Sequence, residues 1–382
     1  MKAFNTMKSK IDGNLSIVFK RMHNILIASL FTISMILVPL GTATAQAVKW
    51  YPGHYLSMVG EGHYNSTYME EVYNELERTP ALRGIMVRYA WGELETAKDV
   101  YDFSNISKLL TELAARNKRL VILFETKASI PGSDKVIVPN YMKASAYEGG
   151  LYPFTHGTPN SSGYGIKLWN AAVHNRMISL IRALGNRFNS HPNFQGIGFT
   201  ETSIGDPLIA FSNDRRDTYF NNLLDLNKQM RVHFPNTMTF QYANFPRQIV
   251  KEFVDTFKVT STALGGPDVF LDDAGLWYPG SKYSPPGAYT YYPKLSGTLP
   301  LVIQVERSNY LNTRFDNTGY KPTVNELFTT ARDKLDVNYM FWVRSPGYYP
   351  KVLEMLNQSA QKSTPSGGLK SACPTAYPSC KQ

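Results

Sequence analysis

The chain is poor in cysteine, with two in 382 residues, so a small scaffold held together by disulfides is excluded. It has no Gly-x-Ser-x-Gly, which removes the strand-to-helix elbow of a serine hydrolase. No Gly-x-Gly-x-x-Gly follows the first apolar run, so nothing points to a dinucleotide or another bound cofactor. His54, His63, His156, His174 and His191 show no ligand spacing such as His-x-x-x-His, which argues against a catalytic metal. No Lys/Arg run tracks a phosphate backbone, so nucleic acid is not an expected partner.

The remaining composition is that of a globular protein, 43% hydrophobic and 18% charged. Its N-terminus needs separate treatment. Lys2, Lys8, Lys10, Lys20 and Arg21 precede "ILIASLFTISMILVPLGTATAQA", which ends in small residues with Ala-Thr-Ala and Ala-Gln-Ala as cleavage candidates. This is the layout of a secretory leader over residues 1–47, with an uncleaved anchor as the alternative. Export would make the chain periplasmic or secreted, with no stable membrane association once the leader is removed. The formal charge of +10 then falls to near +6. In an exported chain, Cys373 and Cys380 in "SACPTAYPSC" most simply close one small disulfide loop, since a metal site would need further ligands.

From Trp50 the sequence alternates short apolar runs with amphipathic segments. "HYLSMVG" reads as a strand and "STYMEEVYNELERT" as a helix capped by Ser66 or Thr67. "RGIMVRYAW" is a strand, "SNISKLLTELAARN" a helix capped by Ser104, and "KRLVILFET" a strand. After Thr126 the pattern lapses for about 40 residues, which marks a functional loop. It resumes through "FQGIGFTE", "TMTFQYANF", "VTSTALGG", "LPLVIQVE" and "VNYMFWV", with a second long loop over 267–297. Eight apolar runs joined by helical crossovers require a parallel sheet covered on both faces. A closed (β/α)₈ TIM barrel over 48–362 fits the count, with a doubly wound open sheet as its rival. Residues 363–382, rich in Ser, Gly and Pro, read as a flexible tail.

In such a barrel the site lies at the C-terminal ends of the strands. Glu201 ends strand four in "GIGFTETSIG" and Glu306 ends strand seven in "LPLVIQVERSNY", while Glu125 ends strand three. An unpaired buried carboxylate is costly, so acids at strand ends ask for a reason. Paired carboxyls on one rim, one protonated and one ionised, are the arrangement that cleaves glycosidic bonds. The bland readings are ion pairs: Glu201 with Arg215 or Arg216, Glu306 with Arg307 or Arg344, and Glu125 with Lys127. "DVFLDD" brings Asp268, Asp272 and Asp273 together, as a Ca²⁺ site or, more often, a solvated turn. Rim-loop aromatics, Trp91, Tyr147, Tyr152, Tyr164, Trp277, Tyr278 and Tyr283, could stack on sugars or simply plug the barrel.

The strand-four and strand-seven glutamates resemble the layout of the retaining glycoside hydrolases of clan A. The stretch "RYAWGELETAKDVYDFSNISKLL" is similar to a phrase in that group where a Trp and a Glu after strand two precede "YDFS". The resemblance implies Glu201 as general acid/base, Glu306 as nucleophile, Arg88 as the nucleophile's partner and Trp342 as the floor beneath the sugar. Trp91, Glu125, Thr200, Tyr242 and Trp277 complete the expected substrate contacts, with a carbohydrate as partner. One departure stands out: many members carry Asn immediately before the acid/base Glu, whereas this chain has Thr200, with one hydroxyl in place of an amide's donor and acceptor. A non-catalytic carbohydrate-binding barrel or a transglycosylase remains the alternative.

Overall fold

The structure, a computed structural model, describes residues 47–128, 137–155, 162–311 and 318–382. The leader lies outside the described residues but for its last position, and among those described no helix is long and apolar enough to cross a membrane. Eight strands close into a barrel: β1 Gly53–Met58, β2 Leu82–Tyr89, β3 Arg119–Phe124, β4 Phe194–Phe199, β5 Met238–Tyr242, β6 Ala263–Gly266, β7 Leu301–Val305 and β8 Tyr339–Val343. Every neighbouring pair is parallel, and β8 returns to β1, so no edge is left open. The (β/α)₈ fold expected from the apolar runs is the fold observed.

Closure sorts each strand into two faces, because successive side chains point to opposite sides. Tyr55, Met86, Val121, Leu123, Phe240, Val302, Tyr339 and Phe341 fill the interior. Leu56, Ile85, Val87, Ile122, Ile197, Phe199, Ile303 and Trp342 pack outward with the helices, among them Ser66–Arg78, Ser104–Ala115, Ala171–Phe188, Asn213–His233 and Arg247–Thr260. The glycines of β4 make room for the interior residues. A Cβ on Gly198 would stand 2.5 Å from the Phe240 ring, closer than packed atoms approach. The first two helices start differently from expectation. Asn65, not Ser66 or Thr67, caps the first by accepting from the Tyr68 amide, and Asp102 accepts from the Ser104 amide at the second.

The long stretch after Thr126 is less irregular than its composition suggests. Leu151–Thr155 and Ser162–Ile166 pair antiparallel, with Asp206–Pro207 added on one side and Lys127–Ala128 on the other. This four-stranded sheet sits on the rim and fixes Lys127 in register with Gly165. Gly165 is needed there because any Cβ would fall 2.4 Å from the Tyr152 ring that crosses it.

The tail expected to be flexible is instead ordered and belongs to the same compact unit as the barrel. Cys380–Lys381 pairs in parallel with Val48–Lys49, and Cys373 is disulfide-bonded to Cys380. Leu369 and Tyr377 are buried, Trp50 donates its indole N–H to the Ser371 carbonyl at 2.8 Å, and Asn338 donates to the Lys370 carbonyl at 2.9 Å. The Ser/Gly/Pro composition supplies turns, Gly367 and Gly368 both having positive φ. The tail covers apolar surface at the N-terminal end of the barrel. Deleting residues 364–382 should lower Tm by about 5–10 °C, from the lost burial of Leu369, Tyr377 and Trp50. A thermal melt unchanged by the deletion would show that this covering is idle.

Candidate active site

At the C-terminal ends of the strands a cleft of about 420 Å³ is lined by Arg88, Glu125, Lys127, Thr200, Glu201, Tyr242, Asp268 and Glu306, with Val59, Ala128, Pro267 and Ser308 beside them. Register explains most of this list. Arg88 follows the interior Met86 by two positions, Glu125 follows Leu123, Tyr242 follows Phe240, and Glu306 follows Val302 by four. Glu201 is out of phase with the inward positions of β4. It reaches the cleft because the strand ends at Phe199 and the chain bends after Thr200.

Glu306 is surrounded by hydrogen-bonding partners. Its Oε1 accepts from Arg88 Nη2 and from Gln304 Nε2, and its backbone N–H donates to Asn309 Oδ1 at 2.7 Å. Gln304 is in turn oriented by the Ser57 and Tyr242 hydroxyls, each donating to its Oε1 at 3.4 Å. Burial alone would lower the Arg88 guanidinium, but Glu306, Glu125 and Glu201 around it hold it above its ordinary value. Arg88 also reaches Glu125 at 3.8 Å. Glu125 is pushed above the usual carboxylate range by burial, with Arg88 opposing the shift and Glu306 adding to it.

Glu201 pairs with Lys127, Nζ to Oε1 at 2.9 Å, and its Oε2 accepts from Asn244 Nδ2 at 3.0 Å. Lys127 was expected to pair with Glu125. The rim sheet carries it to Glu201 instead, because the chain leaves the barrel at Phe124 and the two-residue alternation does not persist through the bend. Three of the other partners considered from sequence go elsewhere, while Arg307 meets Glu306 Oε2 through its backbone N–H at 3.4 Å. Arg215 lies over the Trp169 ring at 5.0 Å, Arg216 bonds Asn213, and Arg344 holds Glu71 and Glu75. Thr200 lines the cleft, but its hydroxyl oxygen takes the Thr126 N–H at 3.1 Å and faces the Thr126 hydroxyl at 2.9 Å. The amide next to Glu201 is supplied from another strand end, by Asn244.

The aromatic expectations divide. Tyr242 forms part of the cleft wall. Trp342 does not: it is 0% exposed, faces outward from β8, and donates its indole N–H to His54 Nδ1 at 3.0 Å. Inward positions on that strand are Tyr339 and Phe341, so Trp342 has the wrong parity for a sugar floor. Trp91 is likewise 0% exposed, with its N–H given to Glu95 Oε2 at 2.6 Å. Trp277 is half-buried, donates to the Phe270 carbonyl at 3.0 Å and packs edge-on against Tyr289, away from the cleft lining.

Asp268 was missed as a site residue. It follows β6 by two positions and lines the cleft. Its Oδ1 accepts from Asn309 Nδ2 at 3.0 Å, and Ser308 Oγ approaches the same oxygen at 3.5 Å. Burial, then the charges of Glu201 and Glu306, push its carboxyl up to about 7. The one signal in the sequence was its place two residues beyond a strand-end Gly-Gly, parallel to the other rim acids.

No protein-family model matches the sequence, and no curated protein matches it. Solved structures are similar in fold. A β-galactosidase from Bacillus circulans sp. alkalophilus is 10% identical with a TM-score of 0.53, covering 77% of this chain and 50% of its own. A cold-adapted β-galactosidase from Rahnella sp. R3 is 10% identical with a TM-score of 0.53, over 85% and 58%. Endo-glycoceramidase II from Rhodococcus sp., in its cellobiose-like imidazole complex, is 12% identical with a TM-score of 0.50, over 82% and 81%. The chain thus spans between half and three fifths of the two β-galactosidase chains. At these identities the likeness concerns the barrel.

The raised Asp268 carboxyl has a consequence for stability. A carboxyl that titrates at about 7 when folded and near 3.8 otherwise favours the folded state while protonated, and that advantage is lost as pH rises through the interval. Asp268→Asn, neutral at every pH, should therefore raise Tm at pH 8 and leave it nearly unchanged at pH 4. Equal shifts at both pH values would contradict the assignment.

Proposed function

We propose that the chain is a glycoside hydrolase acting on a poly- or oligosaccharide by a retaining double displacement. The observation that carries this reading is the opening of Glu201 and Glu306, from the ends of β4 and β7, into one sugar-sized cleft with a cation bonded to each. Glu306, bonded by Arg88 and Gln304, is the nucleophile that attacks the anomeric carbon. Glu201 handles protons at the leaving oxygen and then at the attacking water. The glycosidase names among the similar folds support this chemistry by analogy alone.

A purely binding barrel is the second reading. A lectin-like groove rests on exposed aromatic faces, and here, among the described residues, the cleft wall has one aromatic, Tyr242, beside six charged side chains. That balance favours bond cleavage over passive binding. We also propose that the protein is exported. The basic and apolar leader supports this, as does the Cys373–Cys380 disulfide, a bond that persists in oxidising compartments.

The test is direct. The purified protein, screened against bacterial and plant polysaccharides with reducing-end detection, should release sugars whose first-formed anomer keeps the substrate's configuration by NMR. Glu306→Ala should lose nearly all turnover, and azide should restore it while yielding the inverted glycosyl azide. Undiminished activity in that variant would remove Glu306 from the mechanism.

A further inference from the structure

The ladder between β3, β4 and β5 ends level with Phe124, Phe199 and Gln241. Beyond it the three chains stay together through the segment Thr200-Glu201-Thr202, whose two threonines are buried. On the β3 side, Thr200 donates its N–H to the Phe124 carbonyl at 3.1 Å. Its hydroxyl oxygen accepts the Thr126 N–H at 3.1 Å and lies 2.9 Å from the Thr126 hydroxyl. The Thr200 carbonyl accepts from Gln241 Nε2, and the fully buried Asn227 orients that amide by donating to Gln241 Oε1 at 3.2 Å. On the β5 side, Thr202 donates its N–H to the Tyr242 carbonyl at 2.9 Å. Its hydroxyl donates to the Phe245 carbonyl at 2.7 Å and accepts the Asn244 N–H at 3.2 Å.

The two hydroxyls fasten different neighbours of Glu201. Thr126 is followed by Lys127, whose Nζ pairs with Glu201 Oε1, and Asn244 carries the amide that donates to Oε2. Each oxygen of the glutamate thus meets a partner whose segment is tied to a threonine flanking the glutamate itself. An apolar side chain of the same shape would fill either position, but it would leave the Thr126 or the Asn244 N–H buried without an acceptor.

We propose that Thr200 and Thr202 are positioning residues for the acid/base, a clamp that sets Lys127 and Asn244 on the two oxygens of Glu201 and so holds its carboxyl in one place. This rests on the hydrolase reading and deepens it. In a retaining displacement the same carboxyl serves the leaving oxygen and then the water from one position, and Glu201 stands beyond the last ladder pair of its strand. The clamp also accounts for the departure at Thr200. Where the resemblance places an amide that touches substrate, this chain has a hydroxyl committed to Thr126.

Thr200→Val and Thr202→Val keep the shape and remove the hydroxyl. Each should lose about 10- to 100-fold in kcat/KM on alkyl glycosides, whose leaving oxygen needs a proton, and far less on dinitrophenyl glycosides, whose oxygen does not. Hydrolysis of the glycosyl-enzyme should slow as well, with azide relieving it as the retained glycosyl azide. Thr200→Ser, which keeps the hydroxyl, should recover most of the loss. Amide hydrogen exchange reads the clamp without turnover: it should quicken about tenfold at Thr126 in Thr200→Val and at Asn244 in Thr202→Val. In an active protein, equal losses on both classes of glycoside, or unchanged exchange at these amides, would overturn the clamp alone. A wild-type protein that cleaves no glycoside and is not trapped by a mechanism-based fluorosugar removes the hydrolase reading and the positioning role with it.

Discussion

The rest of the site follows from a shortage of positive charge. A closed parallel barrel brings its strand ends to one mouth, and among the described residues four acids and two bases line it. Interactions across the cleft are strengthened by partial exclusion of water, so each acid is defined by which base it reaches. Arg88 pairs with Glu306 at the end of β7, and Lys127 pairs with Glu201 beyond β4. The remaining groups then differ in proton affinity without any special chemistry of their own. Carboxyls of similar intrinsic acidity are thereby given different environments.

Much of this was legible in the sequence because it depends on a period of two. Eight apolar runs with helical spacers give the barrel, and parity along each run gives the inward line: Met86 to Arg88, Leu123 to Glu125, Phe240 to Tyr242. The same rule, applied from Tyr339 and Phe341, places Trp342 outward. The expectation that Trp342 floors the site came from resemblance to other barrels, and the local parity overrules it. Trp91 failed for a related reason. Its indole N–H finds Glu95, which Arg176 and Tyr141 also bond, and a buried network of that kind turns the ring away from solvent.

What was illegible depends on contacts distant in sequence. Lys127 reaches Glu201 only because residues 151–166 and 206–207 assemble a small sheet on the rim. The segment "LYPFT" is too short, and too broken by proline, to announce itself as a strand. The tail was misjudged for the converse reason. Serine, glycine and proline signal an unpacked chain when few apolar groups accompany them, yet Leu369 and Tyr377 suffice once the barrel end offers Trp50 and Tyr339 as a surface. Composition describes a segment alone, whereas order depended here on what lay opposite.

Asn309 shows how far the two halves of the site are joined. Its Oδ1 accepts the N–H groups of Glu306 and Val269, at 2.7 and 3.1 Å, while its Nδ2 donates to Asp268. One fully buried amide thus ties the end of β7 to the segment after β6, and it needs both ends to do so. A carboxylate at 309 would keep the two acceptor bonds but set a further negative charge against Asp268 and lose the donor. An aliphatic side chain would leave buried N–H groups without partners. The spacing of Glu306 and Asp268 is therefore set by a side chain that lies behind the cleft lining, and the charge pattern of the cleft is inseparable from the packing behind it.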